Sequence, residues 1–319
     1  MTSQRTASAT SQFAKDVLVG LQNHPKKLSS RYFYDAAGDQ LFQDIMKMPT
    51  YYLTDCEYEI FETHRQKLLE TIGNQPFDLI ELGAGDGYKT KVLLRHFLSE
   101  GADFQYQPVD ISHHALAKLE MDLGHSLPNL RVQGLSGDYF QVLEQLSTQS
   151  TLRKVILFIG ANIGNLTREQ ATDFLQHLYR SMAPGDLLLI GFDLKKDPQV
   201  ILDAYNDPEG ITAAFNLNLL HRINRELGAD FKVDAFRHWE TYHPGSGAAR
   251  SYLVSRQAQT VHLLGKTIHF EAWETIDVEL SLKYSLTDIQ HLAEQAGFST
   301  VQYFFDQRQY FTDVLWVKG

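Results

Sequence analysis

The sequence predicts an α/β chain: an open, mostly parallel sheet covered by helices on both faces, joined to a smaller α+β part. Three observations predict it. Apolar runs of strand length, "FDLIEL", "KVILFIG" and "DLLLIGFD", alternate with helical patterns between residues 77 and 193, as in sheets whose parallel strands are buried on both sides. A glycine-rich turn, Gly83-Ala84-Gly85-Asp86-Gly87, follows the first of these strands and precedes a helical pattern. Beyond Asp193 the alternation stops and resumes only near residue 286.

Taken in order, residues 1–11 carry no anchoring apolar pattern and are expected to be mobile. Helical spacing begins at Phe13 and runs to Leu21. Thr54-Asp55-Cys56-Glu57 reads as a capping box opening a helix that stops at Gly73-Asn74. "FDLIEL" is the first strand, and residues 88–98 form a helix. "FQYQPVDI" is the second strand, and "HHALAKLEMDL" is a helix opened by Ser112. "LRVQGLSGD" is the third strand with its turn, and "KVILFIG" the fourth. Thr167-Arg168-Glu169-Gln170 is a second capping box, and "DLLLIGFD" the fifth strand. "ITAAFNLNLLHRINREL" is helical. "RSYLVSRQAQTVHLLGKTIHF" and "TIDVELSLKYS" alternate as strands do. Thr287 opens a last helix ending at Gly297, and "TVQYFFD" and "YFTDVLWVK" close the chain as two strands. The expected division is a nucleotide-binding-type domain over residues 55–195 and 286–319, and a smaller α+β domain over 12–54 and 196–285.

Bulk properties narrow the function. The chain has 319 residues, a net charge of -10 and no run of Lys and Arg long enough to grip a polyanion, so nucleic acid is not an expected partner. The longest apolar runs are strand-sized, which predicts no membrane span. "MTSQRTASATSQ" lacks the apolar segment of a signal peptide. Cys56 is the single cysteine; it excludes an internal disulfide and reads as a buried helix residue rather than a nucleophile. The expectation is a cytoplasmic monomer acting on a small molecule.

The glycine loop suits close approach of a ligand to the backbone. Its spacing, G-x-G-x-G, is not the G-x-G-x-x-G of dinucleotide folds. Glu81, at the end of the preceding strand, is expected to set negative charge beside the loop, which a cationic sulfonium tolerates better than a pyrophosphate. Asp110 ends the second strand, where a carboxylate can accept from both ribose hydroxyls. Asp138 and Tyr139 end the third, where an acid can accept from an adenine amine and a ring can stack. Gly160 ends the fourth and leads into "ANIGN". All lie at carboxyl ends of strands, where open α/β sheets bind ligands. Singly, each also reads as a turn or a helix cap. Together they are similar to the S-adenosylmethionine (SAM) site of Rossmann-type methyltransferases.

Longer stretches carry a closer resemblance. "SSRYFYDAAGDQLFQDIMKMPTYYLT", "IGANIGNLT", "DLKKD", "AYNDPEGITAAFNLNLLHRINRELGADF", "SRQAQTV" and "VELSLKYS" resemble, in order and over nearly the whole chain, the histidine Nα-methyltransferases of ergothioneine biosynthesis. The resemblance implies a Rossmann-type core with a second, smaller α+β substrate-binding domain, SAM as cofactor, and methylation of the histidine amine up to the trimethylated betaine. It implies that Tyr34 and Asn165 sit at the reacting amine, with Asn165 and Tyr205 holding the amino and carboxylate groups. Tyr51 contacts the substrate, and Glu279 and Ser281 bind the imidazole. Phe42, Gly83, Gly85, Lys89, Asp110, Asp138, Tyr139 and Gly160 contact the cofactor.

Each residue also has a plain reading. Tyr34 and Tyr51 suit a core, Asn165 a turn, Tyr205 an amphipathic helix, and Glu279 a solvated strand face. The pattern departs from the family at Ser251, where an apolar residue usually lines the ring pocket. A small hydroxylated side chain there leaves open a larger aromatic amino acid or derivative as substrate. Ser or Thr is frequent in the family's glycine loop, and Leu53 and Asp55 stand where Pro and Arg are frequent. The adjacent His113 and His114 and the pair His238 and His243 lack the spacing of metal ligands, so no metal is expected.

Overall fold

The computed structural model describes residues 2–110, 113–137 and 139–319. Along the chain, α1 (Thr2–Gln22), the short strand β1 (Lys26–Lys27) and α2 (Ala36–Ile45) lead to α3 (Tyr52–Ile72). Alternation follows with β2 (Phe77–Leu82), α4 (Thr90–Ser99), β3 (Phe104–Asp110), α5 (His113–Ser126) and β4 (Leu135–Ser136). It continues with α6 (Tyr139–Gln149), β5 (Arg153–Phe158), α7 (Arg168–Ser181) and β6 (Leu187–Asp193). Next come α8 (Pro198–Tyr205), α9 (Ile211–Leu227) and five strands: β7 (Phe236–His243), β8 (Ala248–Ser255), β9 (Gln259–Leu263), β10 (Lys266–Phe270) and β11 (Thr275–Leu282). The chain closes with α10 (Leu286–Ala296), β12 (Phe298–Phe305) and β13 (Phe311–Lys318).

The chain divides into two compact units: Met1–Tyr52 with Lys196–Ser281, and Leu53–Lys195 with Leu282–Gly319. The second unit holds a seven-stranded sheet of order β12-β13-β6-β5-β2-β3-β4. β4, β3, β2, β5 and β6 run parallel, while β13 is antiparallel to both β6 and β12. This is the α/β Rossmann-type architecture read from the sequence, with two antiparallel strands at one edge. Every residue of β2 and β6 is buried, as two-sided helix cover requires. In the first unit, β1-β11-β8-β7 form a four-stranded sheet beside the β9-β10 hairpin. Its core is built on Phe13, Val17, Phe215, Leu219, Leu253, Phe270 and Ile276.

Several boundaries differ from expectation for local reasons. α1 starts at Thr2 rather than Phe13, since no glycine or proline interrupts the chain before Gly20. α3 starts at Tyr52, so Thr54 is a helix-interior residue and caps nothing. The Thr167 box is real, with Thr167 Oγ1 accepting from the Gln170 amide and Gln170 reaching back. The final box belongs to Ser285 and Asp288, two residues earlier than read. Sequence reading left 139–149 unassigned, yet it forms α6. Ser112, expected to open α5, lies outside the described residues.

Cys56, on α3, is fully buried, with the Arg308 guanidinium 3.2 Å from its sulfur. Burial and then the charge of Asp306 push its thiol up to about 12. Among the described residues, no helix is long and apolar enough to cross a membrane.

Candidate active site

In the second unit the site grows from strand ends. β2 runs into the glycine turn, and Gly83, Gly85 and Gly87 all take positive φ (76°, 55° and 63°), a conformation costly for residues with a Cβ. At Gly83 a Cβ would stand 2.8 Å from the Tyr139 hydroxyl, so glycine lets the first residue of α6 reach over the turn. That cradle of bare backbone, with Asp110 at the end of β3, fits an adenosyl group. Asp138 lies outside the described residues.

Glu81 does not put a free charge beside the loop. It is buried and accepts hydrogen bonds from the Tyr106 hydroxyl and from Thr90 Oγ1, the latter at 2.7 Å. Burial raises its carboxyl to about 7, against the opposing pull of those two donors. The acid belongs to the packing beneath the turn, between β2, β3 and α4.

Lys89, expected at the cofactor, is ion-paired with Glu57. Glu57 also accepts the amide N–H of Gly160 at 2.7 Å and is fully buried. Asp313, likewise fully buried, sits close by, and burial followed by the charge of Glu57 holds its carboxyl above the usual carboxylate range. Glu57 therefore ties α3 to the start of α4 and to the chain just beyond β5. Sequence reading missed it, having spent it on a cap. Past Gly160, Ala161 adopts φ 55° without being glycine, and the 3-10 turn Asn162–Asn165 leaves Asn165 exposed. Backbone held in such a conformation is characteristic of functional sites. Gly164 lets this turn approach Leu282 of the same unit, since a Cβ would lie 2.8 Å from the Leu282 carbonyl.

In the first unit, seven of the expected residues come together. Tyr34 packs edge-on to Phe42 at 5.6 Å between ring centres, Phe42 to Tyr51 at 6.4 Å, and Tyr51 to Tyr205 at 6.3 Å. Phe215 of α9, which sequence reading did not single out, packs against Tyr34 and Phe42 at 5.7 and 5.9 Å. Such contacts favour tilted rings and fix their orientation. The chain around Tyr34 is pinned by Arg222, which donates to the carbonyls of Tyr32 and Tyr34. Asp35 caps α2 and accepts from Asn218 at 2.8 Å.

The polar end of this aromatic row follows directly. The Tyr205 hydroxyl lies 3.0 Å from Ser281 Oγ, and Ser251 Oγ lies 3.2 Å from Glu279. Tyr34 is nearly half exposed as a residue, yet desolvation at its hydroxyl and the negative charges of Glu279 and Asp39 raise it above the usual tyrosine range. At neutral pH its hydroxyl keeps its proton.

Comparison with known proteins gives the family. The family described as histidine-specific, SAM-dependent methyltransferases matches residues 13–318. Histidine N-alpha-methyltransferase of Mycolicibacterium smegmatis is 33% identical over 301 residues, covering 94% of this chain and 92% of that protein. The enzyme of the same name from Mycobacterium tuberculosis is 34% identical over 295 residues, covering 92% and 91%. Ergothioneine biosynthesis protein 1 of Schizosaccharomyces pombe is 30% identical over 287 residues, 86% of this chain and 37% of that longer protein. By sequence match over nearly its whole length, the chain belongs to the histidine-specific, SAM-dependent methyltransferases.

Proposed function

We propose that this enzyme methylates the α-amino nitrogen of L-histidine, up to the trimethylated betaine. The observation that carries the reading, beyond the family itself, is the joining of an aromatic row (Tyr34, Phe42, Tyr51, Tyr205) to the polar group Ser281, Ser251 and Glu279. One end suits a methylated ammonium, which favours aromatic faces. The other suits a ring with a nitrogen donor and a nitrogen acceptor. SAM supplies an electrophilic methyl group on a sulfonium, so the protein's task is to hold a neutral amine in line with it.

In this reading Tyr34 and Asn165 orient the amine. Tyr34, kept protonated, acts as a hydrogen-bonding group and not as a base. Asn165 and Tyr205 hold the amino and carboxylate groups, Tyr51 packs on the substrate, and Glu279, Ser281 and Ser251 face the ring. Gly83, Gly85, Asp110, Asp138 and Tyr139 hold the adenosyl part. Lys89, Gly160 and Phe42 complete the cofactor site, with Glu57 fixing Lys89 and Gly160. The division into a cofactor domain and a substrate domain follows the same assignment. The reading includes a monomer in the cytoplasm with no nucleic-acid partner.

The test is mass spectrometry of histidine incubated with enzyme and SAM, with tryptophan and tyrosine in parallel. Histidine should gain one to three methyl groups. Preference for a ring without imidazole nitrogens would overturn the histidine assignment and leave the methyltransferase chemistry standing.

A further inference from the structure

Gly191, inside β6, has no positive φ to explain it. Its neighbours do. A Cβ there would run into Glu57 Oε1 and stand 3.1 Å from Asp313 Oδ1. β13 sets Asp313 directly opposite Gly191 in the antiparallel register, and the bare glycine gives the two carboxyl groups one shared space. Both residues are fully buried.

The two acids are not equivalent. Glu57 is supplied with donors at both oxygens: Lys89 Nζ pairs with Oε2, and the Gly160 amide donates to Oε1 at 2.7 Å. Those are the partners of a carboxylate. Asp313, as a carboxylate, would have no donor at either oxygen. An ionised carboxyl group only accepts, whereas a protonated one has an O–H to give, and the acceptor beside it is Glu57. Burial and then the charge of Glu57 hold the Asp313 carboxyl well above its usual range, with Lys89 pulling the other way. Two like charges in one buried space cannot both be kept, and one shared proton removes the conflict. The other titratable groups around the cluster have partners of their own. Glu81 of β2, which feels Lys89 and Glu57, accepts from Tyr106 and Thr90. Asp193, two residues along β6 from Gly191, is paired with Lys283 at 2.7 Å.

We propose that Asp313 is a positioning residue of the cofactor site: it holds a proton and donates it to Glu57, and the proton-sharing pair fixes the Lys89 ammonium and the Gly160 amide that the cofactor uses. The proton lets a second acid lie against Glu57 without competing for Lys89. An ionised Asp313 would draw the ammonium down between the two acids and away from the glycine turn. Gly160 takes part through its missing side chain, since a Cβ there would come 3.4 Å from Lys89 Nζ. The inference rests on the assignment of Lys89 and Gly160 to the cofactor. Asp313 is fully buried and acts through Glu57, not on the reacting atoms.

Two measurements on the full-length enzyme test it. The first is infrared absorption at pH 8.5, in H2O and in D2O. Glu81, raised only to about 7, is mostly ionised there. Wild type should show the carbonyl band of a protonated carboxylic acid, shifted by D2O, and Asp313→Asn should lack it. The second is calorimetric titration with S-adenosylhomocysteine. Asn keeps the shape and an N–H for Glu57, so Asp313→Asn should bind within about twofold of wild type. Asp313→Ala removes the donor and should weaken binding by about tenfold. Gly191→Ala changes no ionisable group but forces the two acids apart, and should move affinity in the same direction. Circular dichroism identifies the folded variants; should Asp313→Ala or Gly191→Ala not fold, the band and the affinity of Asp313→Asn still decide. Absence of an acid band that Asp313→Asn removes, a tenfold loss in Asp313→Asn, or wild-type affinity in folded Asp313→Ala overturns the inference. Wild-type affinity in Lys89→Met, with the band present, removes Lys89 from the cofactor site and overturns the positioning role with it, while the shared proton stands.

Discussion

The two units make their sites from different material. In the second unit the ligand-facing surface is largely backbone: glycines at positive φ and strand ends, braced from beneath by Glu57 and Glu81. In the first unit it is side chain: ring against ring, and hydroxyl against carboxylate across β7, β8 and β11. A backbone cradle recognises what every substrate reaction shares, the cofactor, and needs only that few positions stay glycine. A side-chain pocket is changed by single substitutions, and on the proposed assignment it is where a choice among amino acids is made. The difference teaches that the acids in the second unit hold shape, while those in the first unit are, on the proposed assignment, the ones that select.

The largest break in that contrast should come from Glu57→Ala. It strands the Lys89 ammonium and the Gly160 amide, and removing one partner of a buried pair costs on the order of 3–5 kcal/mol. A large drop in melting temperature is expected, with most of the added stabilisation by S-adenosylhomocysteine lost. A variant that melts like wild type with cofactor bound would show that Glu57 braces nothing.

Acidity separates the units next, with opposite signs. Glu81 moves from an ordinary 4.5 to about 7 on folding, and at about 1.4 kcal/mol per unit this is roughly 3 kcal/mol. Its folded value lies above its unfolded one, so its contribution is greatest below about 4.5 and is lost as pH rises through about 7. His238 falls from 6.5 to about 4. Its contribution is present above 6.5 and lost as pH falls through about 4. Denaturant midpoints measured from pH 4 to 8 should therefore rise toward alkaline pH for Glu81→Gln relative to wild type. They should become less acid-sensitive for His238→Asn.

Glu279→Ala should lower kcat/KM for histidine by about tenfold to a hundredfold, from a charge-assisted hydrogen bond of roughly 1.5–3 kcal/mol. Initial rates with histidine and tryptophan measure it, and an unchanged histidine rate removes Glu279 from the ring site. Tyr205→Phe is the smallest expected change. It deletes one hydroxyl from the pair with Ser281, costing about 1 kcal/mol, which is near fivefold in KM, with cofactor binding unaltered by calorimetry.

The sheet was legible because its signals are local. β6 is apolar up to its closing Asp193, β2 is an apolar run broken only by Asp78 and Glu81, and Thr167 announces α7 within four residues. Thr54-x-x-Glu57 carries the same letters and misleads, because a cap needs a non-helical residue and Tyr52 and Leu53 are already helical. Glu57 finds its partners 32 and 103 residues away, a distance no spacing rule spans. Glu240, whose carboxyl group lies 2.7 Å from the Ser251 hydroxyl, was hidden for a related reason. The strand β7 itself was not read from the sequence, and the partner of Glu240 is set by cross-strand register with Ser251. Tyr34, Tyr51, Tyr205, Glu279 and Ser281 emerged from resemblance, since taken singly each reads equally well as packing or surface.

Cys56 has a practical consequence. The thiolate is the form that reacts, and in the folded protein burial keeps this sulfur a thiol well past neutrality. With one cysteine in the chain, alkylation can only follow separation of α3 from the turn that carries Asp306 and Arg308. The time course of mass gain under an alkylating reagent is thus a clock for local opening at this helix. A second cysteine placed on any exposed position would take a fluorophore ahead of Cys56, giving a singly labelled enzyme without removing a native residue.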